Sequence, residues 1–161
     1  MLFRSSVYDY PYLSSSANHL FDVTVGQAVG SPGSSSLTVD AYAKKKINIY
    51  NQMAQVLAGH DVTGSILQFD RDGDPATGGD KMTSMFFLNF SRLLSKDEIK
   101  KGSFQMTLGV NSASANPFNA TCLVSDASGS NNYKINSPSG EYGILYASTP
   151  TSASATWTSD S

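Results

Sequence analysis

The stretch Ala41-Tyr42-Ala43-Lys44-Lys45-Lys46-Ile47-Asn48-Ile49-Tyr50-Asn51-Gln52-Met53-Ala54-Gln55-Val56-Leu57-Ala58 opens the densest apolar region of the chain. Tyr42, Ile49, Tyr50, Met53, Val56 and Leu57 fall at offsets of one, three, four and seven, the spacing of one face of a helix. Asp40 precedes the segment as a candidate N-cap. Gly59 follows it as a residue able to take left-handed geometry at a helix end. Three lysines near the start oppose the helix dipole, which moves the expected start toward Lys45.

Three strand patterns follow. Residues 66–70 contain Ile66, Leu67 and Phe69. Residues 85–90 hold Met85-Phe86-Phe87-Leu88, apolar enough to be covered on both faces. Residues 104–110 alternate Phe104, Met106, Leu108 and Val110 with Gln105, Thr107 and Gly109, as a half-buried strand does. Between the last two, Ser95-Lys96-Asp97-Glu98 reads as a capping box opening a short helical turn at 95–101, ended by Gly102.

Outward from this region the patterns weaken. Residues 1–18 read as an extended arm rich in Tyr and Ser, with Tyr8, Tyr10 and Tyr12 placed either on the domain's own edge or on another subunit. Phe21, Val23 and Val25 would share one strand face. Gly30-Ser31-Pro32-Gly33-Ser34-Ser35-Ser36 is a loop. Residues 121–124, 133–135 and 142–146 are further short strands, with 126–132 as a hairpin-type loop. The expected fold is mainly β, with antiparallel sandwich-like sheets and one amphipathic helix at 41–58. It occupies a single domain, 19–147. A low-complexity tail, 148–161, carries the chain's only tryptophan, Trp157, and reads as a linker to a missing region.

Composition narrows the function. Charged residues make up 15% and the net charge is −2, so no excess of cations is available to neutralise phosphates, and nucleic acid is not an expected partner. No run approaches ~20 apolar residues, so no membrane span is expected. Arg4 and a serine pair stand where the apolar part of a signal peptide would lie. The one cysteine, Cys122, excludes an internal disulfide and sits in an apolar run, as a buried thiol would.

No catalytic set emerges. His19 and His60 lack metal-ligand spacing, and no G-x-S-x-G elbow occurs. Residues 73–83 fail as a phosphate loop, because Asp80 separates Gly79 from Lys81 and Met82 separates Lys81 from Thr83. Asp70-Arg71-Asp72-Gly73-Asp74 matches the opening of a calcium loop, with carboxylates at positions one, three and five. The match then fails: Pro75 stands where glycine belongs and Lys81 where the bidentate glutamate belongs. Asp70, Asp72 and Asp74 therefore make at most a weak Ca²⁺ site, and no cofactor is expected otherwise. A polymer hydrolase would need paired carboxylates about 5–9.5 Å apart in a cleft, and three on one turn do not supply them.

Four stretches carry a resemblance. They begin Val7-Tyr8-Asp9-Tyr10-Pro11-Tyr12-Leu13 in 7–22, Lys45-Lys46-Ile47-Asn48-Ile49-Tyr50 in 45–57, Leu93-Leu94-Ser95-Lys96-Asp97-Glu98 in 93–104, and Asn136-Ser137-Pro138-Ser139-Gly140 in 136–143. Together they resemble a virion structural protein of contractile-tailed phages of marine cyanobacteria, over most of 7–147. The resemblance implies a non-enzymatic particle component of the tail or baseplate. It would be made in the host cytoplasm and located in the virion, and this chain would be an N-terminal part of a longer protein. Its partners would be other virion proteins or further copies of itself, with Tyr8, Tyr10, Tyr12 and Trp157 as interface candidates. The alternative is a β-module binding carbohydrate on a host surface, assisted by Ca²⁺ at the acidic loop.

Overall fold

The computed structural model describes residues 4–10, 16–31, 41–91, 99–111 and 115–148. Tyr12, Trp157, the Asp40 cap, the 95–98 capping box and the tail beyond Ser148 lie outside the described residues. The elements, in order, are β1 (Arg4–Asp9), β2 (Asn18–Gln27), α1 (Ala41–Leu57), β3 (Ser84–Phe90), β4 (Gln105–Gly109), a 3-10 turn (Pro117–Asn119), β5 (Thr121–Ser125), β6 (Tyr133–Ser137), β7 (Gly140–Gly143) and β8 (Tyr146–Ala147). The protein is mainly β, with antiparallel sheets and one α-helix among the described residues.

The chain divides into two compact units where the sequence suggests a single domain. The first holds β1, β2, α1 and β3. The second holds β4 to β8 and also takes Arg71–Gly73. The expected arm is not separate from the first unit: its residues Arg4–Asp9 pair antiparallel with β2.

In the first unit the sheet order is β1-β2-β3. Alternation along β3 sends Met85 and Phe87 to one face and Phe86, Leu88 and Phe90 to the other. The helix covers the Phe87 face. The core there is Ala28, Tyr50, Ala54 and Phe87, with Ile49, Met53, Phe69 and Met85 packed against it. The Phe69 ring meets Tyr50 edge-on at 5.5 Å and Phe87 at 5.7 Å.

The helix turns Ile49, Tyr50 and Met53 to the core, as their spacing suggests, but not the rest of the expected face. Ala43, Lys46, Tyr50 and Ala54 are buried, while Tyr42, Val56 and Leu57 are exposed. Small residues win because the helix lies very close to β2. A Cβ added to Gly26 would stand 3.0 Å from the Tyr50 backbone and 2.8 Å from the Phe87 ring. The helix begins at Ala41 rather than near Lys45, with Ala43 and Lys46 of its first turns buried. At the far end the amides of Ala58 and Gly59 both return to the Ala54 carbonyl, and Gly59 takes φ +89°, as expected of a helix-ending glycine.

Residues 66–70 are not a strand. They make only isolated bridges, His60 to Ile66 and Asp70 to Lys81. The cause is the turn before them: the Asp61 carboxylate accepts from the amides of Thr63 (2.8 Å) and Ser65 (2.9 Å) and folds the chain back early. Nor is β3 covered on both faces, because the helix lies on one face and the other is open at Phe86 and Phe90.

In the second unit the sheets are β4-β5-β8 and β6-β7. The half-buried alternation read at 104–110 holds in β4, with Gln105 and Thr107 exposed and Met106 and Leu108 partly buried. The loop after β5 is not a hairpin, since β5 and β6 belong to different sheets. Asp126 diverts it. Its buried carboxylate accepts from the amides of Gly102 (2.7 Å) and Phe104 (2.8 Å), which ties the loop to the start of β4. Cys122 is buried as expected, and its thiol donates to the Ser148 carbonyl at 3.0 Å.

Candidate assembly surface

Three features bear on function: the open face of the β1-β2-β3 sheet, the polar cluster on its other face, and the acidic loop.

The open face is mostly apolar, with Ser5 its polar residue beside Val7 on β1. The pairings Val7 with Phe21, Phe21 with Phe90, Val23 with Leu88 and Val25 with Phe86 place these seven side chains together. The sequence already puts Phe21, Val23 and Val25 on one face, but that face points away from the helix. Phe86 is 52% exposed and Phe90 36% exposed, with the Phe90 ring 5.3 Å from Phe21. Tyr8 and Tyr10, the interface candidates within the described residues, are 50% and 64% exposed. Tyr8 is the last residue but one of β1, its ring 5.2 Å from His19. Phe86 and Phe90 were legible as apolar in sequence. Their exposure was not, because an apolar run without charge reads as buried.

On the helix side, Asp22 gathers the polar residues of β1 and β2. Its carboxylate accepts from Arg4 (2.7 Å) and from the Ser6 hydroxyl (2.5 Å), and it lies 3.0 Å from His19 Nε2. The Ser6 hydroxyl, followed by Arg4, holds its pKa at about 2, below the ordinary 3.8. Serine and histidine both bond the aspartate, so this is not a nucleophile–base pair, which requires serine on histidine. The cluster fastens the edge strand.

The acidic loop contains a cation of its own. The Lys81 ammonium donates to Asp70 Oδ2 at 2.6 Å and to the Thr77 carbonyl at 2.7 Å, with the Pro75 carbonyl at 3.3 Å. Asp70 is buried. The residue that breaks the calcium-loop pattern thus places its positive charge on Asp70, the first carboxylate of that pattern. Asp74 has its pKa lowered, chiefly by the Thr77 side chain. Asp72 lies in the turn that belongs to the second unit, where the Gly73 carbonyl accepts from Asn136 (2.8 Å) and the Tyr142 hydroxyl (2.9 Å). Among the described residues, no three His, Cys, Asp or Glu side chains group so as to hold a metal ion.

Comparison with family models, with curated proteins and with solved structures returns no match to this chain. Among the described residues, no helix is long and apolar enough to cross a membrane.

Proposed function

We propose that this chain is a non-enzymatic structural subunit of a phage virion, of the tail or baseplate, acting through contacts with other virion proteins. The observation that supports this reading is the open apolar face of the first sheet, with Phe86 and Phe90 exposed, together with the exposed rings of Tyr8, near the end of β1, and Tyr10, just beyond it. Contiguous exposed apolar surface of this kind marks an interaction site. Aromatic side chains bring large contact area at low conformational cost, and permanent assemblies bury more than about 2,000 Å² through such surfaces. The resemblance to the structural protein of contractile-tailed cyanophages supplies the setting.

The test is a phage carrying Tyr8→Ser and Tyr10→Ser. Both side chains are exposed, so the fold should be kept. Incorporation of the chain into particles should fall about tenfold or more, as loss of aromatic contact residues does elsewhere. Incorporation at the wild-type level would contradict the reading.

A further inference from the structure

The loop between Asp70 and Lys81 closes on itself. These two residues bridge antiparallel, and the Met82 amide donates to the Phe69 carbonyl at 2.9 Å. The Asp70 carboxylate inside the closure is 1% exposed. Gly79 passes so near it that a Cβ there would stand 2.8 Å from Asp70 Oδ2. The Lys81 ammonium has N–H groups for three acceptors. It donates to Asp70 Oδ2 at 2.6 Å, to the Thr77 carbonyl at 2.7 Å and to the Pro75 carbonyl at 3.3 Å, with the Asp74 carbonyl at 3.5 Å. One buried carboxylate and the carbonyls of a single turn thus gather around one positive charge. The Asp74 carboxylate is turned instead to its own turn, where it accepts from the Ala76 amide at 3.3 Å and from the Thr77 side chain.

We infer that this oxygen set is a cradle for a monovalent cation, and that the Lys81 ammonium is its resident ion, tethered to the chain. Carboxylate and inward-turned carbonyl oxygens are the ligands that cations of this kind take. Charge decides the class of ion. The Asp70 carboxylate offsets one positive charge, and a divalent ion would bring a second into a buried place. Among the described residues no three His, Cys, Asp or Glu side chains converge to hold such an ion. Distance agrees: the oxygens lie 2.6 to 3.5 Å from Lys81 Nζ, beyond the roughly 2.3–2.6 Å of calcium ligands. Shortening Lys81 therefore opens a place that a free ammonium or primary alkylammonium ion fills, with the same charge and the same N–H donors.

Chemical rescue of the full chain tests this. Lys81→Ala keeps the β-carbon and removes what a propylammonium ion restores. Urea midpoints of the wild type, Lys81→Ala and Lys81→Met are compared in ammonium, propylammonium and tetramethylammonium chloride at equal ionic strength. Tetramethylammonium carries the charge without an N–H donor. The wild type, its cradle already filled, gives the general effect of each salt. Beyond that baseline, Lys81→Ala should regain about half or more of its lost midpoint in ~0.1 M ammonium or propylammonium, as a ligand bound only by the folded state restores it. Tetramethylammonium should restore none of it, and Lys81→Met, its place taken by an apolar side chain, should gain nothing in any of the three. No ammonium-specific gain in Lys81→Ala, or an equal gain in Lys81→Met, would overturn the inference. If Lys81→Ala does not fold in tetramethylammonium, its far-UV signal on titration with ammonium becomes the readout. A chain that stays unfolded at every ammonium concentration then overturns the inference equally.

Discussion

Gly26 has no room for a side chain. The ring of Phe87 and the backbone of Tyr50 occupy the space a Cβ would take. Backbone cannot retreat without moving the helix, so Gly26→Ala should destabilise the first unit by about 1–3 kcal/mol, the range for overpacked sites. A lower urea midpoint would register it. Asp22 is a second decisive residue. Its folded pKa, about 2, lies below the ordinary 3.8. A lowered carboxylate pKa contributes stability that is complete above the unfolded value and is lost as pH falls through the folded one. The stability of the first unit should therefore fall between about pH 4 and pH 2, and Asp22→Asn should flatten that limb. Asp61 and Asp74 also have lowered values, so some slope should remain in the variant. Urea midpoints taken across this pH range check the expectation.

The helix and the acidic loop show how far sequence reading reaches at the scale of an element. α1 was legible from its apolar spacing and from Gly59. Its buried face was legible in part, at Ile49, Tyr50 and Met53; the burial of Ala43 and Ala54 was not, since alanines carry little hydrophobic weight. Strands β3 and β4 were legible from apolar density and alternation. Residues 66–70 misread as a strand, because the Asp61 turn is a side-chain effect that periodicity does not register. Asp22 looked like the polar half of an alternating strand, and nothing in its neighbours announced that Arg4 and Ser6 would converge on it. In the acidic loop the departure of Lys81 from the calcium pattern was visible, but not that its ammonium would reach Asp70. Lys81→Met should cost about 3 kcal/mol, since it leaves a buried carboxylate without its cation. Chemical denaturation would measure that loss. Calorimetry of the wild-type chain with millimolar Ca²⁺ should show no binding heat, because the ammonium already lies among the loop oxygens.

At the scale of the molecule, each unit has its own organising contact. In the first, a helix packs on one face of a three-stranded sheet. In the second, Asp126 ties the start of β4 to the loop beyond β5. The apolar surface left open belongs to the first unit, on the sheet face opposite α1. A chain that acts by association has a physical reason to keep such a face, whereas a protein working alone would gain solubility by charging it. The low charged fraction, 15%, agrees with surface that neighbours cover. Peptide mass spectrometry of purified virions, from a phage encoding this chain, tests that claim most directly. The account predicts peptides of this chain in the particles at the stoichiometry of a structural component. Their absence from intact particles, with the chain present in the infected-cell lysate, would contradict it.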